Sequence, residues 1–433
     1  MNEDFIHYLW KFKKLSGLHL STTTGLSIRI LSLGTHNYFA GPDFFNARLQ
    51  IDGQDWAGNV EMHVNASDWY LHGHDEDPAY DNVILHVVWN HDAEITRRDD
   101  INIPVLEVST YVQKELVKAY RQTFDFKNRK FIHCENQIQE VSDFTWKFWL
   151  EKIYVERLES KSTRILPMLK ATQNDWEAVF FQMLARSFGT KSNADAFEQV
   201  ATSMEPGLLR RLARDSFRLE AVLLGQAGLL NQSCTDSYFK SCQEEYAFAK
   251  AKHQLSPCLT PMTFFRLRPA NYPGIRLSQL AVLYYQSPLL FGEILLANKK
   301  EEIYQLFDIQ ASEYWDTHHV FGKPTALRKK KLTPAFIDLL IINCIVPVRF
   351  TYARSMGRDP TDGLLDLMYS VSSEQNKWVQ SFDQLMSVED ALQSQAVLQL
   401  KSQYCDRNRC LHCDVGLQLL RNNNGKESET VMD

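Results

Sequence analysis

The 433-residue chain contains no run of about 18 or more apolar residues, the length a membrane-crossing helix requires. Its first residues, Met1-Asn-Glu-Asp-Phe5, lack the basic stretch and apolar core of a secretory leader. Positive balance is missing too. The 47 lysines and arginines face 53 aspartates and glutamates, a net charge of −6, so nothing pulls the whole chain towards nucleic acid. Such a balance leaves room for a local basic groove. The eight cysteines are scattered except for a trio near the carboxyl end, which fits a reducing compartment and not a disulfide framework. A chain of this length buries enough core to do without staples. No internal repeat or low-complexity tract is present. These absences lead to the expectation of a globular cytoplasmic protein with no membrane association, and they leave its oligomeric state open.

The chain does contain a change of pattern near residue 112. Before it, strands and turns dominate: Leu26–Leu33 alternates, Phe45–Ile51 ends at Asp52-Gly53, and Asn59–Val64 follows as a hairpin partner. The continuous apolar run Val83–Trp89 suits a central strand, and Phe5–Leu15 reads as an amphipathic helix ahead of them all. After residue 112 the apolar spacing is close to 3.6, with helices expected over Trp146–Leu158, Trp176–Phe188, Asn193–Val200, Leu208–Leu224 and Pro334–Val346. The expected fold class is therefore α+β. It comprises a mixed α/β domain over residues 1–112, a large, mostly helical domain over 113–421 and a disordered tail over 422–433.

Chemistry concentrates in the first part. The strand pattern of Asn59–Val64 puts Val60, Met62 and Val64 on one face and Glu61 and His63 on the other. Pro42-Asp43 sits at the mouth of the preceding strand, so a hairpin can bring the Asp43 and Glu61 carboxylates together. Two carboxylates at one spot repel unless a cation or proton intervenes. Mg2+ or Mn2+ would suit oxygen ligands, with His63 orienting or deprotonating the attacking water. Pro42-Asp43 followed by Glu61-Met62-His63 resembles the restriction-endonuclease-like superfamily, whose pattern is Pro-Asp, a spacer, then Asp/Glu-x-Lys. The departure is His63 in the lysine position. This resemblance implies a restriction-endonuclease-like fold for the first domain and a metal-dependent phosphodiesterase acting on nucleic acid, with catalytic residues Asp43, Glu61 and His63.

Six of the thirteen histidines lie between His36 and His91. His72-Gly-His74 presents two imidazoles in a spacing common at zinc. Metallo-β-lactamase-type hydrolases continue such a start with Asp-His, where this chain has Glu76 and Asp77. A zinc-dependent hydrolase built on His63, His72, His74 and His86 is the second enzymatic reading, with Asn37 and Asp68 as further site candidates. A non-catalytic nucleic-acid- or protein-binding module is the third. His86, within an apolar strand, also reads as a hydrogen-bonded core histidine.

Near the carboxyl end, Cys405, Cys410 and Cys413 share nine positions with His412. This knuckle spacing fits a structural zinc ion or an iron–sulfur cluster, with either His412 or the distant Cys134 as the fourth ligand. Polar strings in the helical part, such as Arg266–Asn271 with Arg276, either line a phosphate groove or cap helices. The basic run Arg328-Lys-Lys-Lys331 reads first as a solvated loop. Finally, Asn37 with Gly41-Pro-Asp-Phe44, Gly58–His63, Ser67-Asp-Trp69, His72-Gly-His74, Leu85-His-Val-Val88, Arg266-Leu-Arg-Pro269, Phe321-Gly-Lys-Pro324, Ser394-Gln395 and the Tyr404–Gly416 segment resemble a bacterial family catalogued as domain of unknown function 2851. That resemblance runs over nearly the whole chain and implies no activity.

Overall fold

The structure, a computed structural model, describes residues 1–15, 19–37, 39–124 and 131–430. Two compact units emerge: Met1–Trp149 together with Leu400–Asp433, and Leu150–Gln399. The boundary expected at residue 112 therefore falls inside the first unit, and the chain's end returns to it.

In the first unit, α1 (Glu3–Lys11) is capped by Asn2, whose side chain accepts from the Phe5 N–H. It buries Phe5, Ile6, Leu9 and Trp10 against a mixed sheet. The strands are β1 (Leu20–Ser21), β2 (Ser27–Ser32), β3 (Thr35–His36), β4 (Phe44–Ile51), β5 (Gln54–Asn65), β6 (Val83–Asn90) and β7 (Val105–Glu107). Their order is β1-β2-β4-β5-β6-β7, with β3 paired to β4. The β4–β5 hairpin forms at Asp52-Gly53 as the sequence predicts. Both turn residues have positive φ, 48° and 81°, which a two-residue turn matched to strand twist demands. From β5 onward the pairing is parallel, and Glu61 lies beside His86 across the β5–β6 ladder. Val60, Met62, Leu85 and Val87 point into the core beneath α1. Beyond the opposite face lies a smaller cluster with Trp69, Tyr80, Val88 and Val105. Both faces of β5 are thus covered, which is why Glu61 and His63 are buried and do not face solvent.

Between β5 and β6 comes α2 (Asp68–Leu71), a single turn. Further on, α3 (Lys114–Thr123) belongs to the same unit, as does a carboxyl-terminal helix, Asp414–Thr430. That helix spans most of the tail expected to be disordered, while residues 431–433 lie outside the described residues. It is anchored early: Leu420 is fully buried, and the Asn423 amide donates to Thr123 Oγ1 at 2.7 Å.

The second unit is helical almost throughout, with one small strand pair, His318–Val320 and Lys323–Pro324. Trp176–Phe188 forms as the periodicity predicts. The expected helix over Leu208–Leu224 is two helices, Pro206–Leu212 and Ser216–Gln226. The second is started by Asp215, whose carboxylate accepts from the Phe217 and Arg218 N–H groups. The helical stretch Pro334–Ser355 is long and apolar enough to cross a membrane by length and composition. Within its apolar window 67% is buried, as for a core helix.

Candidate metal centre

The site is built on one strand and the turn that follows it. Neighbouring side chains alternate on β5, so Glu61 and His63 share the face opposite Met62. The chain then makes α2, fixed by Asp68, whose carboxylate accepts from the Asn65 N–H at 2.9 Å. Ser67 is held by Asp92 through backbone and hydroxyl bonds of 2.9 and 2.7 Å. Gly73, with φ of 70°, reverses the backbone between His72 and His74. Both imidazoles come back towards His63.

The result is a convergence of donors. One ring nitrogen from each of His63, His72 and His74 lies within 4.8 Å of the others. His63 Nε2 is 3.1 Å from His72 Nδ1. Glu61 Oε1 stands 3.6 Å from His63 Nε2 and 3.4 Å from His74 Nε2. The other nitrogen of His63 meets His86 Nε2 at 2.8 Å, within the buried strand pair. Tyr80 stacks on His74 with centroids 3.8 Å apart, and Trp69 packs edge-on against His74 and close to His86.

Burial sets the charge states. It lowers His63 to about 4, helped by the neighbouring His74 and His72, and it lowers His74 and His86 as well. These rings are therefore neutral at pH 7, the form that ligates metal. Burial lifts the Glu61 carboxyl to about 9, with Asp43 adding to the rise. Around the site the nearby charged groups are mostly acidic: Asp43 and Asp68 act on His63, and Asp77, Asp75 and Glu3 act on His74, while His7 beside Asp43 acts on Glu61 in the opposite sense.

The sequence-derived candidates divide into groups. Asp43 does come close to Glu61, but through the main chain: its N–H donates to Glu61 Oε2 at 3.1 Å, and its own carboxylate accepts from the Met62 N–H at 2.9 Å. That carboxylate also pairs with His7 Nε2 at 3.2 Å. Asn37 stays outside, with its amide turned onto the carbonyls of Phe39, Ala40, Gly41 and Pro42, so that it shapes the loop that delivers Asp43. Asp68 anchors α2. His86 supports His63 from behind. His7 was missed because nothing local marks a lone histidine on an amphipathic helix. Tyr80 carried a signal, being the aromatic that closes a polar loop.

Cys134, Cys405, Cys410 and Cys413 all belong to the first unit. Burial raises Cys405, and the nearby thiols of Cys413, Cys134 and Cys410 add to it. The Cys134 strand of chain is tied to the Cys405–Cys410 loop by His133 Nε2 and Asn408 Oδ1, 2.6 Å apart. The Cys413 sulfur is beside the backbone N–H groups of Val415 and Gly416. His412 is occupied with Asp4, at 3.5 Å, and stacks on His36.

With that geometry in place, the family can be stated. The model for the family described as Protein of unknown function (DUF2851) matches residues 3–377. The chain belongs to this family. The match takes in the whole imidazole site and stops short of Cys405. No curated protein and no solved structure matches the chain.

Proposed function

We propose that the first unit is a metal-dependent hydrolase centre in which His63, His72 and His74 hold a divalent ion of the zinc class and Glu61 stands beside the position left open for water. One observation carries this reading. Ligands about 2.0 Å from a tetrahedral ion stand about 3.3 Å apart; His63 Nε2 and His72 Nδ1 stand 3.1 Å apart, and the three imidazole donors lie within 4.8 Å of one another. Three imidazoles favour zinc or its neighbours over magnesium and manganese, which take oxygen. His86 would orient His63 by holding its second nitrogen, the usual task of an outer partner. In this reading Asp43 is a positioning residue: it fixes the backbone around Glu61 and is itself engaged by Met62 and His7.

An ion at this place would lower the pKa of a bound water to near neutrality, roughly 7. Glu61 would take the proton of that water, being the one carboxylate among the described residues within reach of two ligating nitrogens. Water enters past His72, the exposed member of the set. The acidic surround attracts a cation and repels a polyanion. It therefore supports an uncharged ester or amide as the scissile group ahead of the phosphodiester that the endonuclease-like resemblance implies. The test is elemental analysis of the purified protein, followed by hydrolysis of aryl esters, anilides and bis(nitrophenyl) phosphate by wild type and Glu61→Gln. Zinc bound to both, with ester or anilide turnover lost in the variant, is the expected result. Metal bound without turnover on any substrate would make the centre structural, and turnover of the phosphodiester alone would restore the nuclease reading.

The cysteine cluster supports a second, structural centre, with Cys134, Cys405, Cys410 and Cys413 supplying four thiolates to a zinc ion or an iron–sulfur cluster. Visible absorption after anaerobic purification would identify a cluster, and colourless protein with zinc that is lost in Cys410→Ser would identify the ion. Colourless, zinc-free thiols at these positions would remove the centre.

A further inference from the structure

The helical unit contains an arrangement of the opposite sign. A cavity of about 560 Å³ is lined by Arg268, Arg276, Arg328, Lys329, Lys330 and Lys331, and by no aspartate or glutamate among the described residues. Arg276 lies in the first turn of the helix Pro273–Gln286 and is 5% exposed. Its guanidinium is oriented by neutral partners only: Nη1 donates to Gln279 Oε1 at 2.9 Å and Nη2 to Asn271 Oδ1 at 2.6 Å. The ring of Phe336 lies beneath it, 3.5 Å from the guanidinium carbon to the ring centroid. Its Nε has no partner, and no carboxylate pairs with it among the described residues. An uncompensated buried cation is costly, and a protein tolerates one where an anion completes it.

The basic run facing Arg276 is the loop its composition predicts, with Arg328, Lys329 and Lys331 exposed, and its backbone is held in place. The Arg328 N–H donates to Asp316 O at 2.8 Å, the Ala311 N–H to Lys330 O at 3.0 Å, and the Gln279 amide to the same carbonyl at 2.8 Å. Lys330 is 6% exposed, with its ammonium on the carbonyls of Arg328 and Asp316. Asp316 is the acid acting on Lys330, and Lys331 pairs with Asp308 at 3.2 Å. Arg268, Arg328 and Lys329 have no ion pair among the described residues.

We propose that this cavity binds a small phosphorylated molecule carrying two or more phosphate charges, with Arg276 as the buried anchor and Arg328 and Lys329 as the outer clamp. Planar guanidinium groups match phosphate oxygens in pairs, and a cavity of this size encloses a ligand of nucleotide dimensions. The probe is tripolyphosphate, with inorganic phosphate for comparison and sodium chloride matched in ionic strength, added to the full chain. The readouts are thermal unfolding and titration calorimetry. Tripolyphosphate is expected to raise the unfolding temperature beyond the chloride control and to bind more tightly than phosphate. The exposed double variant Arg328→Glu, Lys329→Glu should weaken binding by about tenfold or more, and Arg276→Gln should do the same if it folds. Equal effects of tripolyphosphate and chloride, or undiminished binding by the folded double variant, would overturn the proposal. So would binding of a single-stranded oligonucleotide that tripolyphosphate does not displace, since the surface would then be a polyanion track and not a closed pocket.

Discussion

Glu61 and Glu220 are both buried carboxylates, one in each unit, and their surroundings differ in kind. Glu220 is ringed by neutral donors: Trp315 Nε1 at 2.7 Å, Tyr238 and Ser278 hydroxyls at 2.9 Å each, and the Ser312 hydroxyl at 3.1 Å. Its lone pairs are satisfied, and it serves to lock helices together. Glu61 receives one backbone N–H and otherwise looks onto imidazole nitrogens, with further carboxylates nearby. Burial alone does not mark a site. The inventory of partners does, because a group whose neighbours cannot satisfy it calls for something from outside. The same test, with the sign reversed, separates Arg276 from the ordinary surface ion pairs around it.

The largest effect should come from breaking Glu220. Glu220→Ala removes the acceptor shared by four donors, the buried Trp315 and Ser278 among them, and is expected to cost about 3–5 kcal/mol in urea unfolding. Glu61→Gln in chelator-treated protein should stay within about 1 kcal/mol of wild type, since an uncharged side chain suits that burial. A comparable loss in both would erase the distinction between a lock and a site.

An intermediate effect is expected at His86. It touches no donor set except through His63, so His86→Ala should weaken zinc binding by about 10–100-fold while leaving the stoichiometry intact. Unchanged affinity in a competition titration would mean that His63 needs no support.

The smallest and most diagnostic effect is on pH dependence. In the metal-free protein, burial holds Glu61 near 9 against an ordinary 4.5, so its contribution is full below 4.5 and fades as pH rises towards 9. His63 acts oppositely: held near 4 against 6.5, its contribution is full above 6.5 and fades as pH falls towards 4. Between pH 6.5 and 9 the His63 contribution is flat, and Glu61 acts against Lys161, which burial holds near 7 and whose contribution rises with pH. Wild type should lose stability relative to Glu61→Gln there as pH rises, and zinc should remove that loss by stabilising the ionised carboxylate. A slope unaffected by either would place its origin elsewhere.

Much of the first unit was legible because its signals are local. Asp52-Gly53 dictates its turn, Val83–Trp89 reads as a buried strand, and strand alternation correctly put Glu61 and His63 on one face. The clustering of histidines marks the segment whose imidazoles converge in the fold. Sequence could not reveal which carboxylate faces the imidazoles. Asp43 and Glu61 look equivalent as motif members, and only the ladder shows Asp43 turned onto Met62 N–H and His7. In the helical unit, periodicity ran through the break at Asp215, because apolar spacing persists across a cap. The isolation of Arg276 was invisible for a related reason: the absence of an acid nearby is a property of the fold and not of any local string.

The most direct test is anomalous diffraction at the zinc edge from crystals of the full chain grown with zinc. The account predicts a peak about 2.0–2.2 Å from His63 Nε2, His72 Nδ1 and His74 Nε2, with a water in the fourth position facing Glu61 Oε1. Well-ordered imidazoles with no anomalous peak among them, or an ion held by Asp43 away from the histidines, would contradict it.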